Sequence, residues 1–300
     1  MVNLIENEFC KICEKKGEVF YSASYTDKRL IFFFENFYGQ EKSKLIEKHL
    51  YNTCYVLLHC ENCNFLWQKY APNNEFSYEL YENIIDKDFS FNKSILKFKN
   101  NRRYVEKEFD FLLNYFNSQK INILDYGAGW GAWLRSINNL KSNVFAYELS
   151  VSRIEFLKNE GIRTLDEKSI MEYKNFFHFI RLDQVLEHLD NLKQTIETIK
   201  KIAHKNCIIY ISVPNGKKII NKKAEIKIEK GPIQPLEHLN CFSRESLKKL
   251  FKKNGFEEIT LTEQILMHLK NFKFSKTDLI FILKDVIKNS FSTTIKFKLK

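Results

Sequence analysis

The chain has 300 residues, 44% of them hydrophobic and 28% charged, with a formal net charge of +11. That length accommodates one large α/β domain with a smaller module attached, and the composition is that of a globular protein rather than a disordered one. No apolar run reaches the roughly 18 to 20 residues of a membrane span, and the start, MVNLIENEFCKIC, lacks a basic region followed by an apolar one, so a cytoplasmic protein without a transmembrane helix is expected.

Seven cysteines are too few for a disulfide framework, yet four of them form two CxxC pairs, Cys10 with Cys13 and Cys60 with Cys63. Each pair can fold into a knuckle whose thiolates face one ion, and two knuckles complete a tetrahedral, structural zinc site. Reduced structural cysteines, or a redox CxxC on a thioredoxin-like strand and helix, are the alternatives. The runs RLIFFFENF and CYVLLHC between the pairs read as the strands of a small ribbon, so residues 1–75 are expected to form a zinc module. Residues 76–118 follow as connector and leading helix: a polar, aromatic stretch after the turn at Pro72 and Asn73, then Tyr104, Val105, Phe109, Leu112, Leu113 and Phe116 at helical spacing.

The stretch INILDYGAGWGAWLRSINNLKSNVFAYELS, residues 121–150, reads as strand, glycine turn, helix and strand. Gly127, Gly129 and Gly131 alternate through the turn and let backbone approach a ligand, while Asp125 and Glu148 sit at the carboxyl ends of the two strands, the edge at which open parallel sheets bind ligands. Two cofactors suit such a unit. As GxGxxA with an acid about 20 residues on, it meets the loose dinucleotide fingerprint. As DxGxGxG it suits S-adenosylmethionine, because Asp125 would repel a pyrophosphate but attract an ammonium and a sulfonium. Glu148 would accept hydrogen bonds from ribose hydroxyls in either case.

Downstream, SVSRIEFLKNEG reads as a helix and IRTL as a strand ending at Asp166, a possible neighbour of an adenine. HFIRL is the next strand and leads into DQVLEHLDN; DNLKQTIETIKKIAHK is an amphipathic helix, CIIYISVPNG a buried strand closed by a turn. A basic loop, 217–230, precedes QPLEHLNCFSRESLKKLFKKNGFEEITLT, in which Ser243 caps a helix, Gly255 ends it and a strand begins at Phe256. Residues 263–290 read as a basic amphipathic helical insertion, which packs on its own domain or rests weakly on a membrane surface; STTIKFKLK alternates as a half-buried last strand. The segments 217–230 and 263–300 supply nine of the eleven net charges, so solvated lysine faces are favoured over nucleic-acid binding.

The glycine stretch, the phrase from Phe177 to Asn191 with its VLEHL, and LEHLNCFS followed by a helix and GF together resemble, in that order, class I S-adenosylmethionine-dependent methyltransferases. The two CxxC pairs followed by a tyrosine-rich stretch resemble the zinc-containing members that act on sugars in bacteria. The resemblance implies a Rossmann-like, doubly wound α/β domain over 119–300, with a seven-stranded, mostly parallel sheet whose last strand is antiparallel. It implies S-adenosylmethionine on Asp125, Gly127, Gly129, Gly131, Glu148 and Gln184, zinc on Cys10, Cys13, Cys60 and Cys63, and a sugar or nucleotide-linked sugar as acceptor. His178 stands where the family has an aspartate, which leaves Gln184, Glu187 and His188 in register. His188, His238 and Glu187 are the catalytic candidates, since both histidines follow strand ends on the cofactor side and can take a proton near neutral pH. One rival is a methyltransferase for a lipid or quinone precursor; metal-dependent members of that group place a glutamate where this chain has Gln184. The other is a non-catalytic RNA-binding protein that reads its target through the zinc module and lysines.

Overall fold

The computed structural model describes residues 3–50, 52–117, 120–137, 142–221, 231–269 and 293–300. By contacts the chain gathers into two units, the first made of Met1–Lys87, Leu186–Lys193 and Val213–Leu250, the second of Asp88–Val185, Gln194–Ser212 and Phe251–Lys300.

The second unit is built on a seven-stranded sheet. From one edge to the other the strands are Phe256–Glu258, Thr294–Leu299, Ala203–Ser212, Phe177–Asp183, Asn122–Tyr126, Asn143–Tyr147 and Arg163–Leu165. The pairs from Ala203–Ser212 through to Arg163–Leu165 are parallel, and Thr294–Leu299 runs antiparallel to both its neighbours, as expected. The central strands are apolar almost without alternation because both faces are covered. On one face Phe109 and Leu112 of the helix Lys87–Tyr115 join Ile121, Ile123, Trp133, Leu134, Phe179 and Ile208 in a common core. That helix starts well before Tyr104, the first of the residues whose helical spacing marks it in the sequence. The chain order reverses between Asn122–Tyr126 and Phe177–Asp183, so the carboxyl ends of these two strands form the topological switch point. The insertion expected at 263–290 begins as the helix Leu261–Leu269, opened by a reciprocal cap in which Glu263 Oε2 accepts from the Thr260 N–H at 2.8 Å and Thr260 Oγ1 from the Glu263 N–H at 3.2 Å. Residues 270–290 of the expected insertion lie outside the described residues, as do 222–230 of the basic loop. No helix among the described residues is long and apolar enough to cross a membrane.

The first unit contains a four-stranded antiparallel sheet in the order Asn240–Phe242, Phe65–Gln68, Cys54–Cys60, Glu18–Ser24. CYVLLHC is a strand, as read, but RLIFFFENF is not. It lies in the helix Lys28–Tyr38, capped by Asp27, whose carboxylate accepts from the Arg29 N–H at 2.8 Å. Leu30, Phe33, Phe34 and Tyr38 are buried from one face of that helix. Phenylalanines favour strands on average, but here their 3.6-residue spacing, set against Tyr25, Leu57 and Leu66, decides the outcome.

Candidate functional site

The strand Asn122–Tyr126 runs directly into the glycine turn, where Gly127, Gly129 and Gly131 all have left-handed backbone, with φ of 75°, 58° and 67°. A Cβ on Gly127 would stand 2.7 Å from Val185 Cγ2, and one on Gly131 2.4 Å from Leu157 Cδ2, so both glycines are needed for packing as well as for φ. At Gly129 a Cβ would meet nothing within 4 Å. Gly129 therefore faces open space at the switch point, and its backbone can be approached closely by a ligand.

Glu148, buried at the end of the neighbouring strand, reaches back to this turn. Its Oε2 accepts from the Gly129 N–H at 2.7 Å, and its Oε1 accepts from the N–H groups of Leu149 and Ser150 at 3.0 and 3.1 Å. A carboxylate has about four acceptor directions, so capacity for a ribose hydroxyl remains beside the loop.

Asp125 is 2% exposed and engages Arg181, whose Nη1 lies 3.3 Å from Asp125 Oδ1 and whose Nη2 lies 2.6 Å from Asp183 Oδ2; Lys97 Nζ approaches Asp183 at 3.1 Å. Burial raises the Asp125 carboxyl to about 6 against the opposing pull of Arg181. For Asp183 burial also raises, but Arg181 and Lys97 outweigh it and hold the group at about 2. Arg181 and Lys97 are missing from the sequence reading. Arg181 carried a signal, because an arginine inside a buried strand requires carboxylate partners. Gln184 follows the same strand with φ 60°, its N–H donating to the Ser212 carbonyl at 2.8 Å. Asp166 caps its own turn, accepting from the N–H groups of Lys168 and Ser169. His178 lies at the amino end of its strand, stacked on His204 at 4.7 Å and away from the switch point.

Among the described residues, two groups of potential metal ligands occur, both in the first unit. One is Cys10, Cys13, Cys60 and Cys63, whose sulfurs lie within 4.8 Å of one another, with Cys13 and Cys60 at 3.5 Å. Each knuckle turns through a left-handed residue, Glu14 at φ 66° and Asn64 at φ 50°. Burial pushes the Cys10 thiol up to about 12, whereas at Cys13 burial is outweighed by the Lys15 N–H and by contacts with Cys63, Asn62 and Cys60, which bring it down to about 6. Four convergent thiols, one of them already acidic, suit a zinc ion that displaces the remaining protons. Cys54 and His59 stand outside the group.

The second group is Glu187, His188 and His238, each contributing one donor atom within 4.8 Å of the others. Glu187 and His188 lie on a helical turn, Leu186–His188, that Asn240 fixes by donating to the carbonyls of Leu186 and Leu189 at 2.9 and 2.6 Å. The histidine rings stand 4.8 Å apart at 76°. His188 Nδ1 is 2.9 Å from the Glu237 carbonyl and 3.3 Å from the Tyr81 hydroxyl, and His238 Nδ1 is 2.6 Å from the Gly231 carbonyl. Burial lowers the His238 pKa, against the Gly231 carbonyl, and so keeps the ring neutral near pH 7. The neighbouring Glu237 accepts from Tyr38 Oη at 2.5 Å and from Gln234 Nε2 at 2.7 Å. Glu237 and Asn240 lie in the phrase LEHLNCFS and Tyr81 in the tyrosine-rich stretch, but the sequence reading gave none of the three a place at this site.

Comparison with known proteins bears on the family and the fold. An S-adenosylmethionine-dependent methyltransferase from Archaeoglobus fulgidus is 17% identical, with a TM-score of 0.40 over 75% of this chain and 100% of that one. The plantazolicin methyltransferase BpumL, solved with a monoazolic desmethylPZN analogue and S-adenosylhomocysteine, is 14% identical, with a TM-score of 0.51 over 75% of this chain and 92% of that one. At 14% identity the likeness to BpumL is one of fold. No curated protein matches the chain. Residues 98–261, more than half of the chain, match the family model of a methyltransferase domain; the chain belongs to that family and is an S-adenosylmethionine-dependent methyltransferase.

Proposed function

We propose that the enzyme methylates a small-molecule acceptor, a sugar or nucleotide-linked sugar, at oxygen or carbon. The observation that carries the methyl-transfer part is the open backbone at Gly129, held by the Glu148 carboxylate at the switch point. S-adenosylmethionine, when bound, supplies the methyl group as an electrophilic sulfonium. Gly127, Gly129 and Gly131 offer backbone to it, Glu148 accepts from the ribose, and Gln184 lines the same strand edge. Asp125 is assigned to the cofactor's positive end, with Arg181 setting how much of its charge is felt there. The sugar assignment is supported by the resemblance of the cysteine pairs and the tyrosine-rich stretch after them to sugar-modifying enzymes.

Proton removal from the acceptor is assigned to the cluster of Glu187, His188 and His238. His238 is kept neutral by burial, and an Nδ1–H directed at Gly231 leaves the lone pair on Nε2. The chain's own task is otherwise alignment and exclusion of water. Zinc on Cys10, Cys13, Cys60 and Cys63 is assigned a structural role, because four thiolates close the coordination sphere. The test is incubation with S-adenosylmethionine and a panel of free and nucleotide-linked sugars, followed by mass spectrometry. A product heavier by one CH₂ unit is expected. Cofactor binding without transfer to any sugar would overturn the acceptor assignment, and NADH binding in place of S-adenosylmethionine would overturn the loop assignment.

A further inference from the structure

We infer that Glu187, His188 and His238 form a second metal site, a two-histidine, one-carboxylate centre for a divalent transition ion such as zinc, iron(II) or manganese(II). The resemblance to quinone-precursor enzymes argued against a metal, because the required glutamate is Gln184 here. The fold supplies a different third ligand. His238 comes from 50 residues further along the chain, and its donor atom lies within 4.8 Å of those of Glu187 and His188. Tetrahedral ligands about 2.1 Å from an ion stand about 3.4 Å apart, so closure on a metal needs side-chain adjustments on the order of 1 Å.

Three features mark the cluster as built for a cation. First, metal-binding imidazoles characteristically direct one ring N–H at a carbonyl, which fixes the tautomer and aims the other nitrogen at the metal. In both histidines Nδ1 is directed at a carbonyl, His188 at that of Glu237 at 2.9 Å and His238 at that of Gly231 at 2.6 Å, which leaves the lone pair on Nε2. Second, the segment 234–238 around the second histidine is held by side chains from elsewhere in the unit. Tyr38 and Gln234 bind the Glu237 carboxylate, and Gln68, 1% exposed, donates to the carbonyls of Gln234 and His238 at 2.9 and 3.0 Å. Third, Glu187 is 1% exposed and its carboxylate lies beside both imidazoles, so an ion held there would meet an anionic ligand as well as two nitrogens.

The ligand set decides the class of ion. Imidazole and carboxylate suit zinc and the earlier transition metals, and three protein ligands leave positions for water or an acceptor oxygen, in contrast to the four-thiolate site. An ion held by the Nε2 nitrogens and Glu187 would supply Lewis acidity that makes a neighbouring hydroxyl easier to deprotonate, whereas the imidazole base of the proposed function is the metal-free use of the same cluster. Metal uptake does not depend on the acceptor, so this inference can fail while the proposed function stands.

Cobalt(II) titration of the full-length, wild-type protein reads the two sites separately. Thiolate ligands give sulfur-to-cobalt charge transfer in the near ultraviolet, whereas a nitrogen and oxygen site gives visible ligand-field absorption without it. After the thiolate signal saturates, a further equivalent is expected to add visible absorption alone. His188→Gln should abolish that equivalent and Glu187→Gln should weaken it by roughly 10- to 100-fold. Uptake that stops with the thiolate signal in the wild-type protein, or a second equivalent unchanged in His188→Gln, overturns the inference.

Discussion

Glu148 serves two structures with one carboxylate, the loop that is present and the ribose it is proposed to bind. Glu148→Ala should therefore weaken S-adenosylmethionine binding by roughly 10- to 150-fold, equivalent to about 1.5–3 kcal/mol for hydrogen bonds to a charged group, as read by calorimetric titration. Its melting temperature should fall as well, because the Gly129, Leu149 and Ser150 N–H groups lose their acceptor. At the other cluster, His188→Asn and His238→Asn should lower turnover by roughly 10²- to 10⁴-fold and leave cofactor affinity nearly unchanged, with steady-state kinetics over a range of pH as the check. Arg181 is a third residue with a distinct signature. It pairs with Asp125 and Asp183 together, so Arg181→Leu leaves the buried Asp125 without its cation and Asp183 with Lys97 alone, and should cost about 3–5 kcal/mol in denaturant unfolding.

At the level of elements, the cysteine module is fastened by close packing between its first knuckle and the strand Phe65–Gln68. A Cβ on Gly17 would lie 2.5 Å from Trp67 Cη2 and 2.9 Å from Leu58 Cβ, and Trp67 is fully buried. Gly17→Ala should thus destabilise by about 1–3 kcal/mol through overpacking, with no contribution from φ, measurable as a shift of the denaturation midpoint. In the sheet, the stacked His178 and His204 give a pH dependence. Burial, with His204 second, depresses the His178 pKa below its ordinary 6.5. A depressed folded value means the unfolded chain binds the proton more readily, so this contribution is present above pH 6.5 and is lost as pH falls through the folded value. Melting curves taken downward from neutral pH should show the loss, and His178→Gln should flatten it; an unchanged slope in that variant would assign the acid sensitivity to other groups.

For the whole molecule, chelation is the informative perturbation. If zinc on the four cysteines contributes folding free energy, prolonged chelator treatment should lower the melting temperature, and metal analysis of Cys60→Ser should show loss of one ion per chain. The individual strands, the glycine turn and Glu148 were legible in the sequence as local patterns: continuous apolar strands, alternating glycines and helix stripes within a few tens of residues. The cysteine pairs were legible for the same reason, since each knuckle is a four-residue motif. The parallel order of the sheet and its antiparallel last strand followed from the resemblance to methyltransferases. The helix Lys28–Tyr38 was misread as a strand because its residue types favoured one period while their spacing, fixed by packing against Tyr25 and Leu57, obeyed another. Tertiary structure alone decided that Leu186–Lys193 and Val213–Leu250 join the amino-terminal unit, that Asn240–Phe242 extends its sheet, and that His238 meets Glu187 and His188. These contacts join segments tens to hundreds of residues apart, and their energy lies in how distant surfaces fit once folded, which no local periodicity encodes.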